Sequence, residues 1–496
     1  MSSIKNQTIL GSAFSYLGIA VGFVTQGLLI GKYFSLTERS VIELILAISL
    51  PLSILANLGF NGAANRFFPY FKNKETNNSS FLEWSVLISI IGFIFVAILL
   101  YFTWPLLVVF FKTSPNFLSH FYLVLPVIFA FVFFNVFDNY SKALKDAASG
   151  TFIQAFLQRF INLILVSICV AGIINFEKYL LLLVGSFLLM MLIMLVVALN
   201  KKDFQIRKST FIFPISIKKE FFVYSSVSIL TSISSQIVFQ IDKLMLGGFK
   251  NETNVAIYGN AVLFATVVGT PALALMKSVV PIVAEAWKEK DFPKLFSIYK
   301  KSCITQFLIG TLLLIGIIAN FHNVFAILQP EYAKGKWVIV LLGLAKLVDM
   351  ATGINGVIIS TSKYYVFDTV TFVILAIVTI FMNRWLIPLY GVNGAGIATL
   401  ASISLYNFAR YLFIYLKFGF QPFDFQFIKV FLIAGLVLAL NYFLPVLDGN
   451  VFLILFDTFY RSMIIAVLFV FLIFKFQISL DINQLISNTL NKFKRQ

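Results

Sequence analysis

Charge is scarce in this chain of 496 residues. Asp, Glu, Lys and Arg make up 12% of it, against 60% hydrophobic residues and a mean hydropathy of +0.94. A water-soluble fold cannot cover itself with so little polar surface, so soluble enzymes and soluble binding modules fall away as classes. Cysteine is nearly absent: Cys169 and Cys303 both lie inside apolar runs, which excludes a disulfide framework and offers no pattern of reactive thiols. Histidine is as rare, and His120 and His322 stand alone in connecting segments, too few for a metal site. Long hydrophilic segments are missing too. The longest connection, about 200–219, is basic and holds no catalytic constellation, which argues against a membrane glycosyltransferase or polymerase. Neither enzymatic activity nor a cofactor is expected.

What the chain has in abundance is apolar runs of about 20 residues, the length that crosses roughly 30 Å of hydrocarbon. Fourteen emerge, at about 9–30, 41–64, 82–110, 117–140, 150–173, 178–199, 220–246, 254–283, 302–328, 336–361, 364–387, 391–416, 427–446 and 456–476. The fold class is therefore an all-α polytopic membrane protein with about fourteen transmembrane helices. The first run follows only Lys5 and lacks a small-residue cleavage site, so it reads as an uncleaved helix rather than a signal peptide.

Lys and Arg are distributed unevenly about these spans. The N-terminus, the even-numbered connections and the C-terminus hold 23 basic residues, and the odd-numbered connections hold eight. By the positive-inside rule both termini are cytoplasmic, which requires an even number of spans. The net charge of +17 is then mostly topological and calls for no nucleic-acid partner.

A faint internal repeat is present. Gly31 and Gly248 close the first and seventh spans, 217 residues apart; Pro69 and Pro281 follow the second and eighth, 212 apart; Arg66 and Lys277 precede those prolines, 211 apart. Two six-helix halves in the same orientation, residues 1–210 and 211–420, imply parallel repeats about an axis along the membrane normal. Repeats of this kind bind substrate between the halves and work by rocking. Residues 421–496, with two further spans and a tail, fall outside the repeat.

Four stretches resemble one family. The segment from Ile241 to Phe249, IDKLMLGGF, followed by Val255 to Ala261, VAIYGNA, is similar to the helix 7 to helix 8 hairpin of polysaccharide-transporter flippases. These form the branch of the multidrug/oligosaccharidyl-lipid/polysaccharide exporter superfamily that includes O-antigen flippases. The glycine-rich Leu58 to Phe71 resembles that family's second helix, Val279 to Ser302 its connection from helix 8 to helix 9, and Pro388 to Leu405 its turn from helix 11 to helix 12. The likeness runs over most of residues 1–420. It implies a flippase in the bacterial cytoplasmic membrane that carries an oligosaccharide of O-antigen or capsule type, linked to polyprenyl pyrophosphate, to the outer leaflet. Membrane lipids and other polysaccharide-assembly proteins would be its neighbours. The alternative within the superfamily is a cation-coupled multidrug exporter. A peptidoglycan-precursor flippase fits less well, because the first span ends Gly27 to Ser35, GLLIGKYFS, without the arginine-glycine signature expected there.

A flippase for a pyrophosphate-linked sugar needs a hydrated cavity with compensating positive charge, and an ionised side chain near the bilayer centre costs at least about 2.5–3.5 kcal/mol unless something accounts for it. The fifth span carries Gln154, Gln158, Arg159 and Asn162, a polar stripe at helical spacing. Arg159 either lines the cavity or forms a salt bridge with Asp138 or Glu43. The tenth span carries Lys346 and Asp349, spaced i to i+3; they either neutralise one another or act as a cavity lysine and an acceptor for a coupling proton or Na⁺. Arg66, Lys277 and Arg410 lie toward the cytoplasmic ends of their spans, where they snorkel to headgroups or form a basic mouth for the pyrophosphate. An excess of intramembrane basic residues over Asp242 and Asp349 tilts away from export of organic cations. Asp242 and Lys243 fall near the outer end of the seventh span and read as a lock or gate. Gly18 and Gly22 form a close-packing face on the first span, with the seventh as expected partner. Gly391, Gly394 and Gly396 read as backbone geometry in a turn.

Overall fold

In the computed structural model, residues 2–60, 62, 67–68, 79–200, 218–447, 449–479 and 483–484 are described. Among the described residues all regular structure is helical, with no strand. Each expected apolar run carries helix: α1 Leu10–Tyr33, α2 Leu36–Ala56, α3 Phe81–Phe110, α4 Phe121–Ala143, α5 Ala148–Val170 and α6 Phe176–Leu199. Next come α7 Lys218–Phe249, α8 Glu252–Glu289, α9 Phe292–Ala319, and α10, broken into Lys336–Ala351 and Asn355–Ser360. The stretch Tyr365–Phe418 is two helices, α11 (365–390) and α12 (392–418), meeting at Gly391, and the series ends with α13 Phe425–Asn441 and α14 Val451–Lys475. The protein is a multi-pass membrane protein.

Local chemistry sets the ends of these helices. At the start of α2 the Ser35 hydroxyl accepts the Glu38 amide at 3.2 Å, while the Ser35 amide donates to the Glu38 carboxylate at 2.8 Å. This capping box fixes Leu36 as the first helical residue, five positions before the apolar run begins. The expected boundary at 41 is too late because hydropathy discards a charged first turn, and that turn is where Arg39 sits. Asn175, Asp291 and Asn450 cap α6, α9 and α14 more simply, each with a side-chain oxygen that accepts the backbone amide three residues on. Gly391 has φ 58° and ψ −131°, a conformation closed to side chains with a Cβ. Gly391→Ala is therefore expected to cost about 1–3 kcal/mol, seen as a lower melting temperature in detergent. Gly185→Ala, in the middle of α6 with nothing within 4 Å of the added methyl group, should leave the temperature unchanged.

The chain forms two compact units, Met1–Gly259 and Asn260–Gln496. In the first, α4 is the most enclosed helix: Val124, Val127, Ile128 and Phe134 are inaccessible, and α2, α3 and α6 pack around it. The α2 helix also packs along α7. In the second unit, α9 and α10 enclose one core with Tyr299, Cys303, Ile354 and Ile358, joined by Ile414 of α12. A separate core of Leu308, Ile315, Val430, Val437, Ile465 and Phe469 docks α13 and α14 onto α9.

Candidate functional site

Residues 242 and 243 are adjacent on α7, so their side chains leave the helix about 100° apart and meet different partners. Lys243 reaches α2, where its Nζ lies 2.8 Å from Glu43 Oε2. Arg39, one turn before Glu43, lies 3.9 Å from the other carboxylate oxygen. Asp242 turns to α8 and accepts a hydrogen bond from the Tyr258 hydroxyl. Arg39, Glu43, Asp242 and Tyr258 are all buried. A methyl group at Gly259 would meet Glu43 Oε1 at 2.7 Å, so glycine there leaves room for the carboxylate to face Lys243. Nearby, the hydroxyls of Thr113 and Ser114 both donate to the Gly247 carbonyl at 2.8 Å, and Asn116 donates to Glu252 at 2.5 Å. The connection from α3 to α4 thereby clasps the α7–α8 hairpin.

The polar stripe of α5 is less regular than its spacing. Residues Phe152–Leu157 form a π-helical turn, which carries more residues per turn and so rotates the rest of α5 away from its ideal α-helical phase. Gln154 is consequently exposed, Gln158 and Arg159 are half-buried, and Asn162 is buried, accepting a hydrogen bond from Tyr179 of α6 at 3.0 Å. Arg159 meets neither carboxylate considered for it: Asp138 is paired with Lys142, and Glu43 with Lys243. Among the described residues no ion pair to Arg159 is formed. Its guanidinium lies instead against Gly22 of α1, and a Cβ on Gly18 would fall 1.7 Å from the Ala155 carbonyl oxygen. The small residues of α1 therefore pack on α5, not on α7 as expected, because α5 supplies the nearest atoms to both, the Ala155 backbone at Gly18 and the Arg159 side chain at Gly22.

The α10 break at Thr352, Gly353 and Ile354 contains a left-handed Gly353, φ 60°. Asn407 of α12 plugs it. Its Oδ1 accepts from the Thr352 hydroxyl at 2.9 Å and from Asn355 Nδ2 at 3.0 Å, and its Nδ2 donates to Asp349 Oδ1 at 3.1 Å. Asp349 is thus engaged from α12, while the stem of Lys346 lies beside Gly269 of α8. One turn beyond Asn407, Arg410 is buried rather than turned out to headgroups. It is paired with Asp368 of α11, stacked 4.0 Å over the Tyr406 ring and 5.1 Å from that of Phe372, and packed on Gly356.

Arg66 lies outside the described residues; Lys277 is on α8, its side chain outside what is described. Of the remaining candidates, the structure brings Asp349 and Arg410 to one α10–α12 face and Lys243 to Glu43. It leaves Arg159 apart from both groups. Sequence reasoning missed Asn407 and Asp368. Asn407 is a single amide in an apolar run, and Asp368 stands next to a connection, where a charge needs no partner. Asn407 has the better signal, since a buried amide inside a membrane span requires one.

Residues 41–287 match the family model described as polysaccharide biosynthesis protein. No curated protein matches in sequence. Among solved structures, the fold is similar to a lipid II flippase MurJ in an inward closed conformation, with TM-score 0.73 and 15% identity, covering 95% of this chain and 100% of that one. It is also similar to an inward-facing multidrug resistance MATE family transporter of the MOP superfamily, with TM-score 0.65 and 14% identity over 83% and 98% of the two chains. A third is the MATE multidrug transporter DinF-BH, with TM-score 0.54 and 17% identity over 84% and 95%. These neighbours are a flippase and transporters, not enzymes. The family match and the shared fold together bear out the resemblance carried by the four sequence stretches, to the polysaccharide-transporter flippases of the multidrug/oligosaccharidyl-lipid/polysaccharide exporter superfamily.

Proposed function

We propose that this protein moves an oligosaccharide linked to polyprenyl pyrophosphate, of O-antigen or capsule type, across the bacterial cytoplasmic membrane by alternating access of two helical halves. Both termini are cytoplasmic in this reading. The observation that carries it is Arg159: a half-buried arginine within a membrane span, with no ion pair among the described residues. A cation at that depth costs several kcal/mol unless an anion or water reaches it, and a carried pyrophosphate is an anion that does so transiently. Gln158 beside it offers an amide to the sugar, and Lys277, Lys346 and Arg66 are further candidate cations. Arg410 supports the cavity least, since Asp368 already neutralises it.

The gate follows from orientation. With the N-terminus inside, α7 runs outward and the Glu43–Lys243 pair, with Asp242 and Tyr258, lies toward the outer face, where it acts as a lock. Asp349 is the candidate acceptor for a coupling proton or Na⁺. It is exposed and sits at the broken helix, and discontinuous spans are where transporters place such sites. Asp349 would also serve the multidrug-exporter alternative, but that reading wants acidic side chains where Arg159 stands.

Arg159→Ala is expected to lower surface polysaccharide at least tenfold in cells that depend on this chain, with the membrane level of the protein unchanged by immunoblot. Normal polysaccharide at normal protein level would sink the cationic-cavity mechanism.

A further inference from the structure

Three features converge where α1 crosses α5. The π-helical turn of α5 ends at Leu157, directly before Gln158 and Arg159. A second π-helical turn, Phe23–Leu29, begins directly after Gly22 on α1. Between them the Arg159 side chain lies flat on Gly22: a methyl group there would sit 3.2 Å from both Cδ and Nη1. One turn earlier Gly18 plays a different part, since its added methyl group would strike the Ala155 backbone, which cannot yield as a side-chain tip can. The two glycines are thus not equivalent members of one packing stripe. Gly18 sets the distance between the helices, and Gly22 sets where a guanidinium rests.

We infer that Gly22 is a positioning residue for Arg159: its missing side chain holds the guanidinium flat against α1, so that the planar fork faces one way and can meet an oxyanion bidentately. The inference rests on Arg159 being a substrate contact. Arginine binds phosphate oxygens through two parallel N–H groups only when its plane is held, which makes orientation a separate requirement from charge. Both abutting π turns fit that requirement. Each offsets its helix face by a fraction of a turn, bringing the Gly22 backbone under the Arg159 side chain without a wider gap between the helices.

The test is a double-mutant cycle read as surface polysaccharide per unit of membrane protein. Gly22→Ala is expected to reduce export at least fivefold, and Gly22→Ala with Arg159→Ala to be no worse than Arg159→Ala alone. Gly18→Ala should instead lower the melting temperature and multiply with Arg159→Ala. Gly11→Ala, whose methyl group would come no nearer than 4.0 Å to Thr151 Oγ1, should be neutral. As a second readout, inorganic pyrophosphate added to the purified protein should raise the melting temperature of the wild type and of Gly11→Ala, but not of Gly22→Ala or Arg159→Ala. Losses from Gly22→Ala and Arg159→Ala that multiply, or full export by Gly22→Ala beside a defective Arg159→Ala, would overturn the positioning role alone. Full export by Arg159→Ala would overturn the substrate role of Arg159 itself.

Discussion

Glu43→Gln is expected to destabilise the protein by about 3–5 kcal/mol, measured as a drop in the melting temperature of the detergent-purified chain. The substitution keeps the shape of the side chain and removes its charge. Lys243, 2.8 Å away, and Arg39, at 3.9 Å, then lose the carboxylate that lies between them in a buried setting. Taking away one partner of a buried pair costs far more than the pair is worth, because the desolvated charge that remains has nothing to offset it. Replacing both members, Glu43→Met with Lys243→Met, in an Arg39→Met background that removes the third charge of the cluster, should therefore recover much of the lost stability. If the pair is also the outer lock, the triple variant will be well folded and still deficient in export. A triple variant that is stable and exports normally would remove the lock from the mechanism, and a Glu43→Gln protein as stable as the wild type would contradict the geometry of the cluster.

Asp457→Ala should have an effect of similar size at the other end of the chain. Asp457 is fully buried on α14 and gathers three donors: Arg461 Nε at 2.5 Å, Asn323 Nδ2 at 2.6 Å and the Leu447 amide at 3.2 Å. Arg461 in turn donates to the Pro445 carbonyl at 2.5 Å. The network ties the α13–α14 link to α14 itself and to the segment after α9. Truncation leaves Arg461 charged and buried, again about 3–5 kcal/mol, and limited proteolysis should then cut within the 442–450 link. Asp457→Asn, whose one amide oxygen can still accept from Asn323 and Arg461, which share Oδ2, and which gives up only the bond from the Leu447 amide, should lose less. Equal losses for Ala and Asn would mean that charge alone matters at this position.

Much of the fold was legible because hydrocarbon imposes a length. Each run of about 20 apolar residues carries helix among the described residues, and the short connections that are described form turns. The start of α2 was not, because a capping box outweighs hydropathy in fixing where a helix begins, and the polar turn it adds contains Arg39. The site was legible as residue types but not as partnerships. Lys346 and Asp349 look like a pair at i and i+3, yet Asp349 is engaged by Asn407, 58 positions along the chain. Arg410 looks like a headgroup anchor, yet Asp368, 42 positions before it, draws it inward. Local spacing shows which side chains share a face of one helix and leaves open which neighbouring helix supplies the counterpart. The π turns were likewise hidden, since no single residue type marks them.

The brevity of certain turns limits how this molecule can move. Only Phe34 and Ser35 separate α1 from α2, only Lys250 and Asn251 separate α7 from α8, and Gly391 alone separates α11 from α12. A tether of one or two residues reaches about 3.5 Å per residue at full stretch, less than two turns of helix. Neither helix of such a couple can slide far along its mate. Each such couple is therefore expected to move as one stiff hairpin on a short leash, and because only Lys290 and Asp291 separate α8 from α9, the same restraint runs on through three successive helices.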